Sequence, residues 1–228
     1  MKSITRITIS IVALISVTLA ATPCRAQAPG AWPNGTSVVE TLHNLSYAAS
    51  SDRYGPGGLR NYGEVCVSRH TPPGGQPSAP LWNRSFSVAS YQMYDAAHSS
   101  TINMTVDPQP SGVSLACLSC HDGTVGLDVI VNTPNNYTGG PAVGTRMPAN
   151  LLANLSTDLR NDHPISITYD PTADPQFRSA SSVHAAGLQL YGGKVQCGSC
   201  HNPHTAANRP FLRISNAGSS LCLTCHIK

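Results

Sequence analysis

The sequence predicts an irregular, loop-dominated fold with a few short α-helices and little β-structure. Its 228 residues include 19 glycines and 18 prolines, and only 6% are aromatic, so long regular elements and a large apolar core are not expected. The pattern Cys-x-x-Cys-His occurs three times, and each copy is expected to lie on a short helix. Helices are predicted at 114–121, 195–201 and 219–226, and short strands at 127–131 and 165–169.

The first 28 residues have the pattern of a secretory signal peptide. Lys2 and Arg6 precede an apolar stretch at 7–21, and Ala26-Gln27-Ala28 provides a cleavage pattern of small residues. We therefore expect an exported protein, in the periplasm or at the cell surface of a bacterium. The predicted mature chain, 29–228, contains no later segment with the length of a membrane span.

Charge argues against a nucleic-acid partner. The predicted signal peptide contains three of the 14 basic residues and no acidic ones, which leaves 11 Lys and Arg against 11 Asp and Glu in the mature chain. No stripe of basic residues is present in the sequence, as a nucleic-acid-binding surface would require.

The repeated motif points to covalently attached haem. In Cys-x-x-Cys-His, two cysteines form thioethers with the porphyrin and the adjacent histidine ligates the iron. A zinc site is the alternative, but zinc does not require a histidine directly after the second cysteine in all three copies. We therefore expect three c-type haems. Their attachment residues are Cys117, Cys120, Cys197, Cys200, Cys222 and Cys225, and their first axial ligands are His121, His201 and His226.

The motifs divide the mature chain into two halves. Residues 29–135 hold one intact motif, and 160–228 hold the other two, with a largely polar stretch at 136–159 between them. Haems that pack together share walls, so we expect one multihaem domain in which the haems form much of the core. We also expect the haem-free chain to be largely unfolded, as small metal domains are without their metal.

Three histidines outside the motifs are the best candidates for second axial ligands. His204 lies three residues after His201, a reach of at most roughly 10–11 Å, so it is better suited to the iron of a neighbouring haem. His163 precedes Pro164, which stiffens the loop. His43 is the third candidate. The other candidates are three methionines, Met93, Met104 and Met147. Because spare histidines are available, we expect bis-histidine ligation, which predicts a lower reduction potential than histidine–methionine ligation.

Other residues near these candidates leave alternatives open. Asp162, next to His163, either orients that imidazole or caps a turn. His98 and His184 lie in small, polar surroundings. Ligation of iron is an alternative for either residue, but a surface position is favoured.

Several segments resemble the doubled CXXCH multihaem cytochromes. In the C-terminal half these are 193–204, 211–213 and 221–226, and the upstream segments 79–84, 114–123 and 162–166 look like those of tetrahaem members from metal-reducing bacteria. The resemblance covers most of 40–228. It implies electron transfer to partner redox proteins or to an extracellular acceptor. Some relatives polymerise into haem-stacked filaments, which implies a homo-oligomer as an alternative assembly.

The chain departs from the resembled pattern at its first site. A typical first site reads Cys-x-x-Cys-His-Thr-Pro-His, whereas here Arg69 replaces the second cysteine and Pro73 replaces a histidine expected to be an axial ligand. In one explanation the haem is lost and Cys66 is a leftover thiol. In the other, haem stays attached through Cys66 alone, with His70 on the iron and Arg69 facing a haem propionate. The loss of both groups favours the first explanation, so three haems are expected and a fourth remains the alternative.

The expected function is electron transfer rather than catalysis. No chemistry beyond iron redox is needed, and the sequence has no Cys-x-x-Cys-Lys variant that would mark a multihaem reductase. Two alternatives remain open. One is a subunit of a polymerised extracellular filament, and the other is a small multihaem reductase with one open haem site.

Overall fold

Short helices and a two-stranded sheet, joined by long loops, confirm the predicted loop-dominated fold. The computed structural model describes residues 37–46, 59–71, 79, 81–135, 137 and 139–227. The predicted signal peptide and Pro73 lie outside the described residues. The α-helices are α1 (Gly112–His121), α2 (Ala180–Ala185), α3 (Cys197–Cys200) and α4 (Ser220–Cys225), and the strands are β1 (Ile167–Thr168) and β2 (Lys194–Val195).

Three of the helices carry the Cys-x-x-Cys-His motifs, as predicted. α1 includes its whole motif, whereas α3 and α4 end at the second cysteine, directly before the histidine. α3 is shorter than expected because the two residues before Gln196 belong to β2. Gln196 then precedes the helix, where its backbone N–H donates to the Ser199 hydroxyl at 2.9 Å. Each motif thus occupies about one helical turn.

The sheet is small and antiparallel. β1 pairs with β2 so that Ile167 lies opposite Val195 and Thr168 lies opposite Lys194. This places the strand predicted at 165–169 correctly, although only two of its residues have strand geometry.

The strand predicted at 127–131 is wrong. This segment is a loop in which Leu127 packs with Leu59 and Met147 in a small apolar cluster. The carboxylate of Asp128 accepts hydrogen bonds from the backbone N–H groups of three residues outside the segment: Arg60, Val143 and Gly144. A single side chain therefore replaces the neighbouring strand that the apolar composition suggested.

The described residues contain three separate apolar clusters rather than one large core. Each cluster has only three buried members. The first is Leu59, Leu127 and Met147, the second Tyr91, Leu118 and Leu159, and the third Tyr169, Val183 and Leu188. In the described residues, no helix is long and apolar enough to cross a membrane.

A buried polar network joins α1 to α3. The Gln196 side-chain oxygen accepts hydrogen bonds from the Ser114 and Ser166 hydroxyls, the latter at 3.1 Å. The Ser114 hydroxyl also accepts from the backbone N–H of Cys197 at 3.0 Å. All three of these side chains are at most 3% exposed. The network fixes the first intact motif against the second.

Replacing Gln196 with leucine should destabilise the protein by about 2–3 kcal/mol, because the buried Ser114 and Ser166 hydroxyls would lose their shared acceptor. Guanidinium unfolding of the holoprotein, followed by visible absorption, measures the change. Gln176 is an exposed glutamine whose replacement by leucine serves as the control and should be nearly neutral. Equal stabilities of the two variants would contradict the assigned role of the network.

Candidate haem centres

The intact motifs at 197–201 and 222–226 share one backbone arrangement. In each, the histidine N–H donates to the carbonyl of the first cysteine, at 3.0 Å for His201 and 2.9 Å for His226. The histidine then leaves the helix and forms an antiparallel bridge, His201 with Leu212 and His226 with Phe177. The turn therefore brings both cysteines and the histidine of a motif to one side of the backbone.

Backbone carbonyls orient the first axial histidines. Nδ1 of His121 lies 2.7 Å from the Ala153 carbonyl, and Nδ1 of His201 lies 2.9 Å from the Pro210 carbonyl. A carbonyl accepts a hydrogen bond from a protonated Nδ1, which leaves Nε2 with the lone pair that a metal requires. Both rings are therefore suited to ligating iron through Nε2.

Two motif histidines face a second histidine ring at the spacing that one iron atom requires. The ring centroids are 6.1 Å apart for His43 and His121 and 6.4 Å apart for His163 and His226. Two imidazoles on opposite sides of one metal, with metal–nitrogen distances near 2.0–2.1 Å, have centroids about 6 Å apart. The residues present thus fit bis-histidine haem at both sites.

His163 is oriented by the chain rather than by Asp162. Its Nδ1 lies 3.0 Å from the Pro164 carbonyl. One carboxylate oxygen of Asp162 is buried and has no hydrogen-bond partner among the described residues. Burial, together with the charge of Asp158, raises the pKa of Asp162. Of the two roles considered for Asp162, orientation of the imidazole is therefore not the one observed.

His204 faces a different motif from its own. Its ring centroid lies 6.0 Å from that of His70, and the two ring planes are only 17° from parallel. His204 was expected to ligate the iron of a neighbouring haem. The histidine opposite it, His70, belongs to the first site, where Arg69 replaces the second cysteine of the motif. Within the described residues, no second histidine ring is found opposite His201.

The remaining histidines lie apart from these pairs. His98 uses both ring nitrogens, with Nδ1 at 2.5 Å from Asp95 and Nε2 at 2.7 Å from the Arg160 guanidinium. His184, in α2, has Nδ1 at 3.3 Å from the Leu188 carbonyl. Both side chains are exposed, as the sequence predicted.

The cysteines place successive motifs side by side. The thiol of Cys117 lies beside that of Cys197, and their interaction raises the pKa of Cys117 and lowers that of Cys197. Burial, followed by the nearby Cys225 thiol, raises the pKa of Cys200 to about 11. Haems attached at these three motifs would therefore have neighbouring attachment points.

Comparison with known families bears on the last two motifs. Residues 191–228 match the doubled CXXCH motif family. The match contains both C-terminal motifs and His204. No curated protein matches the chain. Together with the third intact motif at 117–121, the doubled motif indicates covalent binding of haem c and is consistent with a multihaem c-type cytochrome.

Two phenylalanines beside the paired histidines were not singled out from the sequence. Phe211 lies 4.4 Å from the ring of His43, and Phe177 lies 4.4 Å from the ring of His226. Phe177 also bridges to His226 through the backbone, so its position follows from the fold around α4. The available signal for these two residues in the sequence was the rarity of phenylalanine, which occurs three times in the chain.

Arg84 is a further residue that supports the first intact motif. Its side chain is fully buried and donates to the carbonyls of Leu127 at 2.7 Å, Gly126 at 2.6 Å and Ser119 at 3.2 Å. It therefore ties α1 to the loop that follows the motif. The segment resembling tetrahaem cytochromes at 79–84 includes this arginine, and that was the only signal for it in the sequence.

His43 is held neutral by its surroundings. Burial, followed by the charge of Arg69 and the neighbouring His121, lowers the pKa of His43 to about 3. The ring thus stays unprotonated, as a metal ligand must be, across the physiological pH range.

Acidification should destabilise the protein through His43. In the unfolded chain the pKa of His43 returns to about 6.5, so the unfolded state binds more protons than the folded state as the pH falls from 6.5 towards 3. The stability that is fully present above pH 6.5 therefore decreases over this range. The loss of unfolding free energy is on the order of a few kcal/mol. Guanidinium unfolding at pH 7 and pH 4.5 measures this loss. The loss should be smaller in His43→Gln than in the exposed-histidine control His184→Gln. Identical losses in the two variants would contradict the assignment.

Proposed function

We propose that the protein is an exported multihaem cytochrome that passes electrons between its haems and a partner redox protein or an extracellular acceptor. One observation carries the proposal. His43 with His121, and His163 with His226, face each other at 6.1 and 6.4 Å beside cysteine pairs with the spacing for covalent haem.

The arrangement of the motifs supports a relay. Electron transfer requires short distances between haem edges. The contact between Cys117 and Cys197 would place the attachment points of two porphyrins next to each other. The burial of Cys200 near Cys225 would do the same for the last two haems. When bound, the haems supply one-electron chemistry, while the chain sets their ligands and spacing.

The paired histidines favour an electron carrier over a reductase. A reductase needs an iron with an exchangeable position for its substrate, whereas a second histidine faces the ring of His121 and that of His226. Both ligand pairs would close their irons. This preference concerns the haems of His121 and His226, because no second histidine ring lies opposite His201 among the described residues. No enzymatic step is part of the proposal.

Oxidation of the reduced holoprotein by a soluble ferric chelate tests the proposed function. The purified protein is reduced under anaerobic conditions, mixed with the chelate and followed by the visible absorption of the haems. We expect full reoxidation, with one electron delivered per haem and no requirement for a further substrate. A purified protein without haem absorption, or reduced haems that retain their electrons in excess acceptor, would contradict the proposal.

A further inference from the structure

Residues 66–70 fold like the intact motifs, although Arg69 stands in place of the second cysteine. The His70 N–H donates to the Cys66 carbonyl at 2.8 Å, which matches the bonds made by His201 and His226 in their own motifs. His70 then forms an antiparallel bridge, in this case with Trp82. The first site, which lacks the second cysteine of the motif, has therefore kept the backbone geometry that presents one cysteine and one histidine together.

The first site also keeps two histidine rings at the spacing of the other two pairs. His70 and His204 have ring centroids 6.0 Å apart, close to the 6.1 and 6.4 Å of the other two pairs. Their planes are nearly parallel, with an angle of 17°. Trp82 packs edge-on against His70 at 5.7 Å and donates to the Ser119 hydroxyl in α1, which fixes the position of the turn.

Arg69 brings a buried positive charge to the same place. Its side chain is 7% exposed and donates to the His43 carbonyl and to the Ser68 hydroxyl at 3.5 Å. Among the described residues it has no acidic partner, and burial lowers its pKa. A buried guanidinium favours a carboxylate partner, and a haem propionate is such a carboxylate.

We propose that the chain carries a fourth haem, attached through a single thioether at Cys66 and ligated by His70 and His204. The inference rests on the proposed function, because haem must be supplied to the chain. In the attachment step the Cys66 S–H adds across one haem vinyl group. Sulfur bonds to the inner vinyl carbon and hydrogen goes to the outer one, so no oxidant or reductant is consumed. Arg69 cannot add, and the second vinyl group stays intact.

Intact mass under denaturing conditions counts the covalent haems. The full chain should carry four, and Cys66→Ala should carry three. A wild-type chain with three haems would overturn the fourth haem while leaving the proposed function in place. A chain with none would overturn the proposed function itself.

Arg69→Cys distinguishes a retained haem from a lost one. Because thioether formation conserves mass, this variant should still carry four haems, but the red-shifted haemochrome component from the remaining vinyl group should disappear. If the haem had been lost through degeneration, the wild type would carry three haems and no red-shifted component. An increase from three to four in Arg69→Cys would therefore overturn the proposal.

Replacing His204 with alanine tests the ligand assignment separately from attachment. The variant should keep four haems by mass, while the reduced protein gains one additional haem that binds carbon monoxide. His98→Ala is the control, because both nitrogens of His98 already contact protein groups, and its carbon monoxide binding should match the wild type. Equal carbon monoxide binding in His204→Ala and His98→Ala would overturn the role of His204.

Discussion

Replacing His163 with alanine should open one iron of the holoprotein to external ligands. The reduced variant should bind one more carbon monoxide per chain than the wild type, because His163 is the ring that faces His226 at 6.4 Å. Loss of this ligand leaves the haem at Cys222 and Cys225 with one axial histidine. The change is large, since a closed site becomes an open one, and it is measured by carbon monoxide difference spectra.

Two further measurements separate ligation by His163 from a general disturbance. Free imidazole added to His163→Ala should restore the wild-type spectrum and suppress carbon monoxide binding, because it replaces the missing ring at the iron. His184→Ala provides a matched control, because His184 is exposed and belongs to none of the ring pairs. A wild-type spectrum and unchanged carbon monoxide binding in His163→Ala would show that another group ligates this haem.

Production of the chain without haem should give a largely unfolded protein. Each of the three apolar clusters has only three buried members, and burial of such a side chain contributes about 1.5–3 kcal/mol. Ordering the backbone costs about 1–2 kcal/mol per residue, and most of the described residues lie in loops. The clusters are therefore too small to order these loops, and packing against haem is expected to supply the difference.

Circular dichroism and limited proteolysis check this expectation. The chain lacking residues 1–28, produced in the cytoplasm so that haem is not attached, should have a coil-like far-ultraviolet spectrum and should be digested at least about ten times faster than the holoprotein. The holoprotein prepared from the exported chain is the control. A haem-free chain that unfolds cooperatively and resists protease would contradict the dependence on haem.

Local features of the fold could be predicted from the sequence because the motif spacing itself describes a helical turn. Residues i, i+3 and i+4 share one face of a helix, and α1, α3 and α4 lie where the three motifs predicted them. The strand expected at 127–131 failed because its apolar composition reflects packing of Leu127, while Asp128 occupies the backbone donors of distant residues.

Ligand pairing could not be predicted to the same degree. His43, His163 and His204 were recognised as candidates from their surroundings in the sequence, but nothing local specifies which ring each one meets. His43 reaches His121 only because loops bring residues 78 positions apart together, and such long-range contacts are set by packing rather than by local propensity.

The first site is a second place where the sequence did not predict how the histidines are arranged. Loss of the second cysteine to Arg69 favoured the interpretation that this haem had been lost. The structure nevertheless keeps the turn at Cys66 and places His70 against His204. A sequence departure at one attachment residue therefore does not predict loss of the ligand geometry, which depends on the backbone turn and on a histidine 134 positions further along the chain.

Spectroelectrochemical titration of the purified holoprotein tests the central claim, that paired histidines hold electron-transferring haems, most directly. The haems held by paired histidines should have low-spin spectra in both oxidation states and reversible one-electron steps at low potential, with the same spectra recovered on reduction and reoxidation. The haem of His201, opposite which no second histidine ring lies among the described residues, is outside this expectation. Haems that are predominantly high-spin, or that fail to return their electrons reversibly, would contradict the account.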